Sequence, residues 1–385
     1  MEIGRREVLK TAAALLVDFW AESRGFGQRA PVSIGRKVVL VTCGGIRRED
    51  TFSDEGAVNI PHLRSDLLPS ALFFPAIWNR GVTSHYNTIS SILSSEWQHL
   101  DDWGKSRPAT PTLFEHLRRQ AKLRSDQTWF ISSNKAMTSQ IGASSVREFG
   151  PEYGANVVFP KQLLINAVVR AAAAGNAVSS TERLKVQPEL EAMLNSDNYD
   201  GLGWSISGES SSLDAPTFGV LQQAIENLIR TNAPVTGDEF TFLVSAEVMR
   251  RFAPDLLVIT FSDMEVAHFG SYSLHLAGIR TVDRLAFELW NLIQELPAYK
   301  DKTTFFVLPE FGRDVDGSPT NGFFNHRYSS PSTRLTWMLC MGDAVRKPGV
   351  VEQPVQQTDI AATIAQLFGL NRTGISGSPL AGLWL

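Results

Sequence analysis

Two short stretches concentrate groups able to hold a cation. In "VITFSDMEVAHFG" (258–270) an apolar run releases Asp263, Glu265 and His268 and then a glycine, all within one loop. In "TTFFVLPEFGRDVDGSPTNGFFNHR" (303–327) a second apolar run ends in Glu310, Gly312, Arg313 and Asp314, and His326 follows one loop later. Carboxylate oxygen together with imidazole nitrogen is the donor set that hard and borderline divalent metals take. An acid at a strand end and a histidine in the loop beyond can converge without unravelling the core. Asp263, His268, Glu310 and His326 are therefore the candidate metal ligands. Each taken singly reads as a helix-capping acid or a histidine bonded to a carbonyl; their order at successive strand ends argues for one site. Arg313 has two readings, bidentate recognition of an oxyanion or a plain pairing with Asp314 or Glu310. Of the seven histidines, His62, His99, His116 and His275 lie in polar or helical surroundings where solvated or capping roles suffice.

Positioning such groups requires a scaffold, and the hydrophobic pattern predicts one. "KVVLVTC" (37–43), "QTWFIS" (127–132), "DLLVITFS" (255–262) and "TTFFVL" (303–308) are apolar runs too short for helices, each followed by a turn signal, and "RLTWMLCMG" (334–342) reads as a fifth. Val282, Leu285, Ala286, Leu289 and Ile293 recur at spacings of three and four, one stripe along a helix. Apolar strands alternating with helices predict an α/β fold with a mostly parallel central sheet covered on both faces. Ligands in such sheets sit at the carboxyl ends of the strands. Residues 135 to about 250 break the rhythm with "KQLLINAVVRAAAAGNAV", the Gly- and Ser-rich "GLGWSISGESSSLDAP" and further helix at 216–231, and read as a helical insertion. The glycines of "GLGWSISG" open no phosphate-binding helix, because no Lys-Ser or Lys-Thr follows them.

A chain of 385 residues, 43% hydrophobic and 20% charged, has a globular composition. With 36 basic against 40 acidic residues the formal charge of −4 draws in neither nucleic acid nor an anionic membrane. Cys43 and Cys340 each lie inside an apolar run and read as small buried thiols, although one bridge between them is compatible with an oxidising compartment. At the start, "GRREVLKTAAALLV" (4–17) sets two arginines ahead of a short Ala and Leu run, which resembles a twin-arginine export signal. Residues 1–30 are accordingly expected to engage the twin-arginine export machinery, and the protein to work in the periplasm or outside the cell. No segment offers the ~18 uninterrupted apolar residues of a spanning helix.

The collinear order of motifs resembles the alkaline phosphatase and sulfatase superfamily: a strand with Gly-Gly-x-Arg (44–47), "PAIWNRGV" (75–82), "TPTLFEHLRRQ" (110–120), strand-Asp with His-x-Gly, "TVDRLAFELWNLI" (281–293), strand-"EFGR", a loop His and "QQTDIAATIAQLFGL" (356–370). Within it, "EFGR" and the twin-arginine start are similar to an exported branch of sulfatase-related proteins. The resemblance implies an alkaline-phosphatase-like α/β domain over residues 36–372, with the helical insertion inside it and a tail at 373–385. It implies two divalent metals, usually zinc, and hydrolysis of phosphate or sulfate esters, small-molecule or glycan, through a Thr, Ser or modified Cys nucleophile. Asp263, His268 and His326 match the first-metal ligands; Glu265, three residues before His268, serves as well as Asp263, five before it. At the second site Gly44 stands where the family has an acid, and Glu310 and Phe311 where it has Asp and His, so one ion is expected rather than two. The nucleophile region, "GVTSHYNTISSILSS" (81–95), offers Thr88 and Thr83 foremost, with Ser84 and Ser90, and His85 close to the expected slot. A protein of this fold without the chemistry, binding a metal or an anionic glycan in the periplasm, is the alternative.

Overall fold

The computed structural model describes residues 35–138, 140–161, 236–327 and 330–383. The segment 1–30 read as an export signal, the stretch 216–231 read as helix and most of the segment read as an insertion lie outside the described residues. Nine strands form one sheet in the order β4-β3-β5-β1-β6-β7-β2-β8, with β9 beside β2. They are β1 Lys37–Cys43, β2 Leu72–Trp78, β3 Thr128–Ser132, β4 Asn156–Val158, β5 Leu256–Phe261, β6 Thr303–Pro309, β7 Leu335–Gly342, β8 Gly349–Val350 and β9 Val355–Gln356. Every pairing is parallel except those of β7, which runs antiparallel to both β6 and β2.

The central place of β1 explains its unbroken apolar run. It pairs with β5 on one side, Val39 opposite Leu257, and with β6 on the other, Val39 opposite Phe305. Its alternate side chains enter two separate cores. Val39, Val41 and Cys43 pack with α3 (Gly237–Phe252) and α4 (Tyr272–Glu295), through Phe240, Val244, Ile279, Val282 and Leu289. Val38 and Leu40 pack on the opposite face with α1 (His85–Ser94), α2 (Leu113–Ala121) and α5 (Asp359–Leu367), through Ile89, Phe114, Leu117 and Ile364. The expected stripe on α4 is buried throughout.

Cys43 and Cys340 fall in opposite cores and are free thiols. Within the span read as a helical insertion, β4 extends the sheet and α3 belongs to the main core. The tail is tied down by Gly377 N–H donating to Ser95 Oγ at 2.7 Å and Leu380 N–H to Thr363 Oγ1 at 2.9 Å.

Sequence pattern misses β2 because Pro75 interrupts it. The proline is accommodated where the register with β7 shifts between Phe74 and Ile77, an irregularity that removes the need for its missing N–H. The strand matters, because its exit leads to α1. The neighbouring ends of β5, β1 and β6 bring the 263–269 turn, the Gly44-Gly45 pair and Glu310 to one edge of the sheet.

Candidate metal centre

The turn after β5 is a 3₁₀ helix over Asp263–Phe269. Residues three apart eclipse one another in such a helix, so Glu265 and His268 stand on the same side and Asp263 does not. Asp263 instead turns to the start of α3, where its Oδ2 accepts from Asp238 N–H at 2.9 Å while Asp238 Oδ2 accepts from Asp263 N–H at 3.0 Å. Burial pushes both of these carboxyls up. The structure therefore leaves Asp263 out of the cluster and puts Glu265 into it.

Four side chains converge on one point: His85, Glu265, His268 and His326, whose donor atoms all lie within 4.8 Å of one another. Glu265 Oε2 is the hub. His268 Nε2 lies 2.9 Å from it, His85 Nε2 3.4 Å and His326 Nε2 4.0 Å. The Nε2 atoms of His268 and His326 are 3.1 Å apart. Donors bonded at about 2.0–2.1 Å in a tetrahedron are roughly 3.3–3.4 Å from each other, so the pairs at 2.9–3.4 Å already suit a zinc-sized ion and the wider ones, up to 4.8 Å, would close on binding.

The outer partners aim the rings. His326 Nδ1–H donates to Thr83 O at 2.7 Å, which leaves the Nε2 lone pair facing the cluster. His85 Nδ1 meets Glu310 Oε2 at 2.6 Å, the carboxylate–histidine arrangement that orients a metal-binding imidazole. Glu310, read from sequence as a ligand, thus stands one shell outside. It is fully buried, and its Oε1 has no hydrogen-bond partner among the described residues. Burial pushes its carboxyl up to about 7 against the pull of His85.

Glu265 reaches the hub because Gly44 has no side chain: a Cβ there would lie 2.2 Å from Glu265 Oε1. That oxygen accepts from Gly45 N–H at 2.5 Å. Arg313, also fully buried, spends its guanidinium on Glu265 Oε2 at 2.6 Å, Gly45 O at 2.7 Å and Phe323 O at 3.1 Å. Of its two sequence readings, these bonds favour pairing over oxyanion recognition, and the pairing is with Glu265 rather than Asp314 or Glu310. Although burial would raise Glu265, Arg313 and then His85 hold its carboxyl well below the usual range.

The candidate nucleophiles are occupied. Thr83 Oγ1–H donates to His326 O at 2.6 Å; Thr88 Oγ1 accepts from Asn79 Nδ2 at 2.9 Å and donates to Val82 O at 3.2 Å. Asp50 is held by Arg47 and Tyr272 at 2.6–3.0 Å, apart from the cluster. Between Thr83 and Thr88, His85 is the group that arrives. Sequence reasoning weighs this segment for its hydroxyls and passes over the imidazole as a ligand; the signal was its place at the start of a helix, directly after Ser84.

The imidazoles differ electrostatically before an ion binds. Burial lowers His268 and takes His326 well below its ordinary value, so both present neutral nitrogen. Burial also opposes charge on His85, but the Glu265 and Glu310 carboxylates outweigh it and raise that imidazole to about 10. A ligand nitrogen must shed its proton, so binding of one ion at neutral pH is expected to release one proton from His85. Metal affinity should then rise about tenfold per pH unit from roughly pH 7 to 9 and flatten near 10. Titration calorimetry in buffers of different ionisation enthalpy counts the proton; none released at pH 8 would refute a charged His85.

No protein-family model matches the sequence, and no curated protein matches it. Solved structures do. The chain is similar to PsFucS1 sulfatase from Pseudoalteromonas sp., with 13% identity and a TM-score of 0.52 over 98% of this chain and 75% of that one. It is similar to wild-type alkaline phosphatase PafA, with 13% identity and a TM-score of 0.51 over 93% of this chain and all of that one. A third likeness is to the lipoteichoic acid synthase LtaP from Listeria monocytogenes, at 10% identity and a TM-score of 0.50 over 97% and 81% of the two chains. These likenesses establish an alkaline-phosphatase-like fold.

Proposed function

We propose that this protein is an exported hydrolase of phosphate or sulfate esters that works with one divalent ion, zinc first among the candidates, held by His85, Glu265, His268 and His326. The observation that carries the reading is the convergence of three imidazole nitrogens and a carboxylate oxygen within 4.8 Å, at the strand ends where such a fold binds ligands. When bound, a divalent ion supplies Lewis acidity toward an ester oxygen and a water molecule. Glu265 and Arg313 hold the floor of the site, and the Phe311 ring packs against His85 and His326 at 5.1 and 4.3 Å as an apolar wall. His85 Nδ1 and Glu310 Oε2 share one proton at 2.6 Å and can take up or return it as charge builds beside them. With Thr83 and Thr88 committed to carbonyl oxygens, water is the nucleophile this arrangement favours. One ion rather than two follows from Gly44, whose missing side chain leaves its space to Glu265. The twin-arginine start supports export, and no helix among the described residues is long and apolar enough to cross a membrane.

The second reading, a binding protein without turnover, also draws on the structure, since four protein donors fill a tetrahedral shell as in structural zinc sites. Elemental analysis of the purified protein together with aryl phosphate and aryl sulfate assays separates the two. Bound metal with turnover supports the hydrolase; bound metal with neither ester cleaved favours the binding protein; neither metal nor turnover removes the hydrolase and leaves only binding of an anionic glycan.

A further inference from the structure

We propose that a cavity at the end of β2 is a subsite for a sulfated or phosphorylated sugar ring. The link to ester cleavage rests on the hydrolase reading above, while the choice of ligand rests on the cavity's own side chains. The cavity is an open depression with a volume of about 320 Å³, lined by Trp78, Asn79, Arg80 and Arg334. That is at the small end of the range for ligand sites, the scale of one sugar unit.

Its position ties it to the metal centre. Trp78 is the last residue of β2 and pairs with Leu335, the first of the antiparallel β7, so Trp78 and Arg334 meet at the edge that carries Glu310. Three residues past Arg80, Thr83 grips His326 twice, through its carbonyl and its hydroxyl. Three residues of extended chain span at most about 11 Å, so an ester seated at the cluster can lay a neighbouring group in the cavity.

The lining selects that group. Among the described residues it holds two guanidinium groups and no carboxylate, which favours an oxyanion, held by the planar fork of Arg80 with Arg334 beside it as a fixed positive charge. Arg334 is pinned by Nη1–H bonds to Asn79 O at 3.1 Å and Gly81 O at 2.7 Å, so its plane is set in advance. Arg80 is exposed and makes no hydrogen bond or ion pair among the described residues. The half-buried Trp78 indole beside them offers an apolar face for the C–H side of a sugar ring. The loop itself is stiff: Asn79 is buried, accepting from Gly81 N–H at 2.8 Å and donating to Thr88 at 2.9 Å. A pre-set Arg334 with an aromatic platform lowers the ordering cost of binding.

Titration calorimetry of the full-length protein with glucose 6-sulfate, glucose 6-phosphate and glucose, each with and without chelator, tests the assignment. Binding of one or both charged sugars is expected, with none of glucose and no effect of chelator; the preferred oxyanion identifies the ligand. Arg80→Gln and Trp78→Ala should each weaken binding about tenfold, the size of one charge-assisted or stacking contact. Arg80 is exposed, so its variant remains a test even where Trp78→Ala fails to fold. Failure of both charged sugars to bind, loss of binding under chelator, or unchanged affinity in the folded variants would overturn the proposal. Binding with these properties in a protein that cleaves no ester would leave the subsite standing and remove the hydrolase.

Discussion

Replacing His326 with alanine is expected to lower affinity for a divalent ion by more than about 100-fold, because loss of an outer-shell partner alone reaches 10–100-fold and His326 supplies a donor directly. His85→Ala should match it, and this second variant is the sharper test. His85 lies at the start of α1, 180 or more residues before the other three donors in the chain, and only the tertiary arrangement brings it to them. His62→Ala is the control, since His62 is a half-buried histidine paired with Asp66 and outside the cluster. Competition against a chromogenic chelator measures all three. Wild-type affinity retained in His85→Ala would reduce the centre to three protein donors with an open position, a shell more typical of catalytic zinc.

The second large effect falls on stability. Arg313→Gln should cost about 3–5 kcal/mol, the penalty for removing one member of a buried ion pair and leaving the other uncompensated. The residue is fully buried, and its loss would strand the Glu265 carboxylate together with the carbonyls of Gly45 and Phe323. Urea unfolding with chelator present gives the full loss. Added zinc should restore part of it, because an ion at the cluster sets two positive charges beside Glu265 where the His85 proton set one. A change below about 1 kcal/mol in the metal-free protein would show that water or neighbouring groups relieve Glu265, and that Arg313 is not what holds it.

Much of the scaffold was readable before any coordinates. Strands buried on both faces must be apolar along their whole length, and β1, β3, β5, β6 and β7 announce themselves that way. The stripe on α4 is equally plain, since one helix face must meet the sheet. The edge strands β4, β8 and β9 are two or three residues long and leave no pattern, and β2 is hidden by its proline.

The site was legible by residue type and obscured in detail. His268 and His326 could be named because imidazoles following strand ends are uncommon. The choice between Asp263 and Glu265 depended on a turn being 3₁₀, a distinction of local hydrogen bonding that composition does not carry. Glu310 and Arg313 were placed at the right edge but one step from their roles, Glu310 behind an imidazole and Arg313 beneath a carboxylate.

By itself, then, the sequence determined an α/β sheet covered on both faces, its carboxyl edge as the place where candidate ligands gather, and an oxygen-and-imidazole donor set near Glu310. Tertiary structure decided which atoms meet. Backbone periodicity is a local property and is written residue by residue, whereas a cluster only a few ångströms wide depends on where separate loops end. Here the exit of β2, the vacancy at Gly44 and the reach of Arg313 settle the matter, by bringing His85 inward and holding Glu265 beneath it.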